Sequence, residues 1–183
     1  MSSTAHDRSG QSEALTVFIP IAAGRESALA HLLNTLPLRD GSPLSRIAGT
    51  HFARLVVIDA PVYEGPPQRR DSWKAARLLF TTNFDGPLEG YLEHLRTGLA
   101  TDGDAIFGHC VGYPGGEDPH AWATWLLAHR VVSSLFFAAY GDQKVETVVA
   151  NVDERARLIA FALASQGLAP AQLQAGFIEE FGH

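Results

Sequence analysis

Thr50-His51-Phe52-Ala53-Arg54-Leu55-Val56-Val57-Ile58-Asp59 is the stretch that decides the fold. Its β-branched and aromatic residues read as a strand, with Phe52, Val56 and Ile58 on one side and Ala53, Leu55 and Val57 on the other. Apolar residues on both sides predict a strand whose two faces are covered. His51 and Arg54 are out of place in such a strand, because a polar group is costly to bury without a partner. They point to a lined cavity.

Working outward, Arg77-Leu78-Leu79-Phe80-Thr81-Thr82-Asn83 reads as a second strand of the same kind, the antiparallel partner of the first. Asp85-Gly86-Pro87 is a turn and helix start, followed by an apolar stripe at Leu88, Tyr91, Leu92, Leu95 and Leu99. Asp102-Gly103 reads as its end, and Asp104 to Tyr113 as a further strand. Upstream, Leu15 to Ile21 alternates as a strand, and Leu29, Leu32, Leu33 and Leu36 share one face of a helix that Pro37 stops. The order strand, helix, strand, strand, helix, strand is βαββαβ. It predicts an α+β, ferredoxin-like antiparallel sheet with both helices on one face. Additional C-terminal helices are expected over His120–Tyr140, capped by Asp118-Pro119, and from about Glu146 through Gln166, with Val149, Val152, Ala156, Ile159 and Leu163 inward.

At 183 residues, residues 14–183 are expected to form a single domain behind a disordered N-terminal tail of residues 1–13, which has no apolar core of a signal peptide. Pro61 to Ser72, rich in proline, reads as a long exposed connection. The net charge is −6 and the longest basic run is Arg69-Arg70, which argues against nucleic acid and against an anionic membrane as partners. The apolar run Val131–Tyr140 is too short to span a bilayer. Cys110 is the only cysteine, so no intrachain disulfide and no cysteine-based zinc site can form. A cytoplasmic protein is expected.

The order of elements resembles the dimeric α+β barrel superfamily, with Thr50-His51-Phe52-Ala53-Arg54 opening one strand and Asn83-Phe84-Asp85-Gly86 closing the next. That superfamily includes chlorite dismutase-like and dye-decolorizing-peroxidase-like haem proteins, and cofactor-free monooxygenases and cyclases. The resemblance covers roughly residues 15 to 113. It implies a homodimer and a small-molecule enzyme acting on a hydrophobic or aromatic substrate. The Gly-x-x-Asp-Gly string of the dye-decolorizing peroxidases is absent, and no complete haem motif is matched.

The candidate catalytic residues are His109, His51, Arg54 and Asn83. His51 or His109 suits acid/base work, and Arg54 suits clamping an anion or polarising an oxygen. His51 and Arg54 lie three apart, so they line one cavity only if a bulge intervenes. Set against these roles, His51 reads equally as a solvent-side residue at a strand end, Arg54 as the partner of a carboxylate such as Asp85, and His109 as a buried imidazole bonded to a carbonyl. His129 lies on an aromatic helical stripe with Trp122, Trp125 and Phe136 and is the candidate haem ligand, with His109 as the other choice. The same stripe reads as a core or dimer face. No spacing supports a separate metal site, and Cys110 reads as a small buried hydrophobe. The leading expectation is a haem-dependent, peroxidase-like oxidoreductase. A cofactor-free cyclase, isomerase or monooxygenase is the alternative, and a non-enzymatic ligand-binding or scaffold domain is the third.

Overall fold

The computed structural model describes residues 7–67, 69 and 73–182. These form two compact units, residues 1–145 and 146–183, where the sequence predicts a single domain. The part of the Pro61–Ser72 connection at 68 and 70–72 lies outside the described residues.

The first unit is α+β. Strands β1 (Arg8–Ser9), β2 (Ser12–Pro20), β3 (Thr50–Ile58) and β4 (Arg77–Asp85) form one antiparallel sheet in the order β1-β2-β4-β3. Helix α1 (Glu26–Thr35) joins β2 to β3, and α2 (Leu88–Phe107) and α3 (Pro119–Ala128) follow β4. The predicted pairing of the strands at 50–58 and 77–85 is present, with Leu55 opposite Phe80. Alternation builds the core. Leu15, Val17 and Ile19 of β2 and Leu78, Phe80 and Phe84 of β4 are buried together with Leu29 of α1 and Leu95 of α2. Both helices therefore cover one face of the sheet. Thr82 sits in this row because its hydroxyl is satisfied by Tyr91 Oη at 2.6 Å, which also lies 3.0 Å from Thr50 Oγ1.

Three elements differ from the prediction. Residues 7–13, expected as part of a tail, form a hairpin with β1, and buried Asp7 pairs with Arg130 at 2.6 Å. Residues 104–113 are not a strand. The α2 stripe continues through Gly103, Ile106 and Phe107 after an interruption at Ala100 (φ 44°, ψ −124°), and Gly108 caps it. The helix expected to reach Tyr140 stops at Ala128, with His129 as its cap. Its start is as predicted: Asp118 Oδ1 accepts the backbone N–H groups of His120 and Ala121, with Pro119 in the first turn.

The segments that fail to continue as strand and helix share one task. The outer edge of β2 would expose unpaired backbone groups. Phe18 N donates to His129 O and Val131 N to Thr16 O, while Ala22 N donates to His109 O and Val111 N to Pro20 O. Two isolated antiparallel bridges, Val17–Arg130 and Ile21–Cys110, together with β1, thus cover an edge that the prediction assigned to one strand.

The second unit is a helical hairpin of α4 (Val145–Ala164, its first residue at the unit boundary) and α5 (Pro170–Phe181). The α4 range matches the predicted helix closely. The two helices meet through Phe161, whose ring lies 5.8 Å from that of Phe177 and 5.7 Å from that of Phe181, and through the Arg157–Glu180 ion pair at 2.9 Å. No residue of either helix is buried. The stripe predicted to point inward, Val149, Val152, Ile159 and Leu163, is exposed.

Candidate functional site

The sheet face turned away from α1 and α2 carries the polar strand residues. Odd-numbered residues of β4 point there, and the register sets Thr81 and Asn83 between Thr16 and Ala14 on β2 and Arg54 and Phe52 on β3. Phe52 is 76% exposed, so this face is open within the first unit, where the sequence predicts cover on both faces. Phe52, Ala53, Arg54, Thr81 and Asn83 line a hollow of about 340 Å³ on it.

A β-bulge decides what else reaches this face. The register of β3 against β4 slips between Thr50 and Phe52, leaving His51 as the extra residue. Thr50 keeps the helix side, where its hydroxyl meets Tyr91. His51 is turned instead toward Asp85 at the end of β4, with Nε2 2.8 Å from Asp85 Oδ1. Alternation alone separates His51 from Arg54, and the bulge brings them to the same side. Of the four predicted catalytic residues, three are gathered here: His51, Arg54 and Asn83.

Asp85 is held at both oxygens. Oδ1 faces His51, and Oδ2 accepts the backbone N–H of Val145 at 2.7 Å. Gly86 follows at φ 80°, a conformation that favours glycine, and turns the chain at once into α2. With Nε2–H donated to Asp85, the lone pair of His51 is on Nδ1, which is the tautomer of a proton acceptor. Ser12 Oγ lies 3.5 Å from the same Nε2. A Ser-His-Asp triad needs the serine and the carboxylate on different ring nitrogens, so these three residues do not form one. Arg54 Nε donates to Thr81 Oγ1 at 3.0 Å, which fixes the guanidinium plane and leaves its two terminal nitrogens for a ligand. The Arg54–Asp85 pair weighed from sequence is not made. Asp85 takes His51 instead, a neighbour that the sequence reading did not assign. Its signal is parity: it continues the row Thr81, Asn83 by two residues.

His109 and His129 stand elsewhere. Both belong to the segments that pair with the outer edge of β2, so neither lies on a strand or within a helix. His109 Nδ1 is buried and has no hydrogen-bond partner among the described residues. His129 Nδ1 lies 2.9 Å from Trp125 O, and its ring meets Trp125 edge to face at 5.4 Å. Between this edge and Arg54 on β3 lie β2 and β4, three strand spacings or about 14 Å. His109 and His129 thus stand at the opposite edge of the sheet from Arg54.

Cys110 is buried against the core, and burial pushes its thiol up to about 12. It is not a thiolate at neutral pH and serves as packing. Burial, with Asp104 as its hydrogen-bond acceptor at 2.6 Å, likewise raises Tyr113. Among the described residues no group of three or more His, Cys, Asp or Glu is placed to hold a metal ion, and no helix is long and apolar enough to cross a membrane.

No family model, curated protein or solved structure matches the chain.

Proposed function

We propose that the first unit is a small-molecule enzyme that works without a prosthetic group, as a cyclase, isomerase or monooxygenase does, on a hydrophobic or aromatic substrate laid over the open sheet face. The observation that carries this reading is the bulge at His51, which puts a carboxylate-held imidazole on the same face as Arg54 and Asn83. In this reading His51 Nδ1 takes a proton from a carbon next to a carbonyl. The charge that develops on the carbonyl oxygen is met by the Arg54 guanidinium and the Asn83 amide. Phe52 packs on the apolar part of the substrate. The arrangement of β2, β4, β3, α1 and α2 supports a ferredoxin-like core whose fourth strand position is filled by bridges. The active form is proposed to be a homodimer, in keeping with the apolar surface left open on the chain.

The haem-dependent reading keeps one supporting contact. If His129 donates Nδ1–H to Trp125 O, its Nε2 is free to bind iron, which is how ligating histidines are oriented.

The test is exchange of substrate hydrogen. A set of aromatic ketones and keto acids is incubated with the full chain in deuterated water, and deuterium at the carbon next to the carbonyl is followed by mass spectrometry. Enzyme-dependent exchange that His51→Gln abolishes, in protein without a Soret band, is the expected result. Stoichiometric haem in the purified protein, or exchange unaffected by the substitution, removes the proposal.

A further inference from the structure

We propose that Arg77, at the far end of the open sheet face from His51, is a carboxylate subsite. The substrate is then an aromatic molecule with a carboxylate at one end and the reacting carbonyl at the other. The inference deepens the enzyme reading above and rests on it for the place of the carbonyl. The carboxylate subsite stands on Arg77 and its own neighbours.

Alternation puts Arg77 on the same side of β4 as Thr81 and Asn83. The register arranges this side in rows. Pro20 and Ile58 flank Arg77, Phe18 and Val56 flank Leu79, and Thr16 and Arg54 flank Thr81. Arg77 therefore stands two rows from Arg54, with the wholly apolar row of Phe18, Leu79 and Val56 between them. All of these residues belong to the first unit.

The Arg77 guanidinium is held by rings. Its Cζ lies 5.2 Å from the centre of the Phe18 ring and 5.7 Å from that of Trp73. The two rings meet edge to face at 5.3 Å, with 79° between their planes, so the cation sits in the angle they make. Phe18 is one row nearer to Arg54, so the guanidinium leans along the face toward the catalytic residues. The chain has 20 Asp and Glu against 14 Lys and Arg, which makes a carboxylate the ordinary partner of an arginine here. Arg46, Arg96, Arg130 and Arg157 each have one. Among the described residues Arg77 makes no ion pair and donates no side-chain hydrogen bond. Aromatic contacts orient a guanidinium without using its N–H donors.

Charge and spacing name the ligand. A planar fork with free donors beside apolar surface matches a planar carboxylate, through two parallel N–H···O bonds. Arg54 shares its end of the face with Asn83 and His51, so it meets the carbonyl and Arg77 meets the carboxylate. One row is two residues of strand, about 7 Å. From the Phe18 row, beside which the Arg77 guanidinium lies, the rows of Thr81 and Asn83 are roughly 7–13 Å away. The body of the substrate crosses Phe18, Leu79 and Val56, which ask for an apolar group. An aromatic ring with a short carboxyalkyl arm on one side and an acyl group on the other has this reach.

The experiment is an NMR titration of the isotope-labelled full chain with an aryl methyl ketone that carries a propanoic acid arm para to the acetyl group. The primary amide of the same acid is the uncharged control. The Trp73 indole N–H, assigned by its loss in Trp73→Phe, is the reporter, and the Trp122 and Trp125 signals report on the core. The acid is expected to shift the Trp73 signal saturably. The amide should bind at least about tenfold more weakly, the worth of one charge-assisted hydrogen bond. Arg77→Gln should bring the acid down to the affinity of the amide, with the Trp122 and Trp125 signals in place. Because glutamine also gives up the ring contacts, Arg77→Lys provides a second reading. It keeps the charge and the stem but not the planar fork, and should bind the acid with an affinity between those of the wild type and Arg77→Gln. Acid and amide bound alike, or acid affinity unmoved by either substitution, overturns the subsite. Binding of the acid that depends on Arg77, without deuterium exchange at its acetyl group, upholds the subsite and counts against the enzyme reading. Exchange that His51→Gln abolishes but that is equal for acid and amide upholds the enzyme reading and overturns the subsite.

Discussion

The two sides of β4 hold the same backbone and do opposite things. Toward the helices, Leu78, Phe80, Thr82 and Phe84 are fully enclosed, and the one hydroxyl among them is satisfied by Tyr91. Toward the open face, Leu79, Thr81, Asn83 and Asp85 alternate with them at partial burial, and there the polar groups reach across to His51 and Arg54. One side is filled to hold shape. The other keeps hydrogen-bonding capacity in reserve, as a recognition surface does. Stability and chemistry should therefore separate by parity along a single strand.

That separation can be broken at its strongest point. Phe80→Ala empties the centre of the core, where the ring meets Phe107 edge to face at 6.4 Å, and should cost about 3–5 kcal/mol in denaturant unfolding. A loss under about 1 kcal/mol would mean that the two sides are not different in kind. Asp85→Ala lies on the border between the two roles, since the carboxylate holds both His51 and the Val145 amide. Two partners are left unpaired, so a loss of about 1–3 kcal/mol is expected, together with the disappearance of deuterium exchange. Stability lost with exchange intact would make Asp85 structural alone. Arg54→Ala should have the smallest effect on folding, within about 0.5 kcal/mol, because its one side-chain hydrogen bond among the described residues is the exposed one to Thr81. Its signature is the loss of ligand-induced NMR shifts at Thr81 and Asn83, and unchanged shifts would move the site off this face.

The same parity explains what was legible in the sequence. The strands at 15–20, 51–58 and 77–83 and the helices at 26–35 and 88–99 follow from local period, because each buries one face against the rest. The failures occur where a distant edge decides. Val131 has no local reason to leave a helix, but β2 offers it the Thr16 carbonyl, and that long-range bond ends α3 at Ala128. Ile106 and Phe107 are adjacent and both buried, which an alternating strand forbids and a helix stripe from Leu95 and Leu99 allows. The site was half legible. His51, Arg54 and Asn83 stand out as polar residues in apolar strands, but nothing in the local sequence announces a bulge of one residue, and without it His51 and Arg54 point apart. His109 and His129 carried the same chemical signal and proved to belong to the edge, where the peptide groups are the parts engaged with β2.

The cover of the β2 edge has a consequence for how the protein is made. Its pieces come from residues 8–9, 109–111 and 129–131. A ribosome releases them in that order, so β2, β4 and β3 are all synthesised while most of one edge is still bare. Until residue 131 has emerged, the growing chain carries an open template for pairing with another strand. Fragments that end before Arg130 should aggregate where chains that end after it stay in solution.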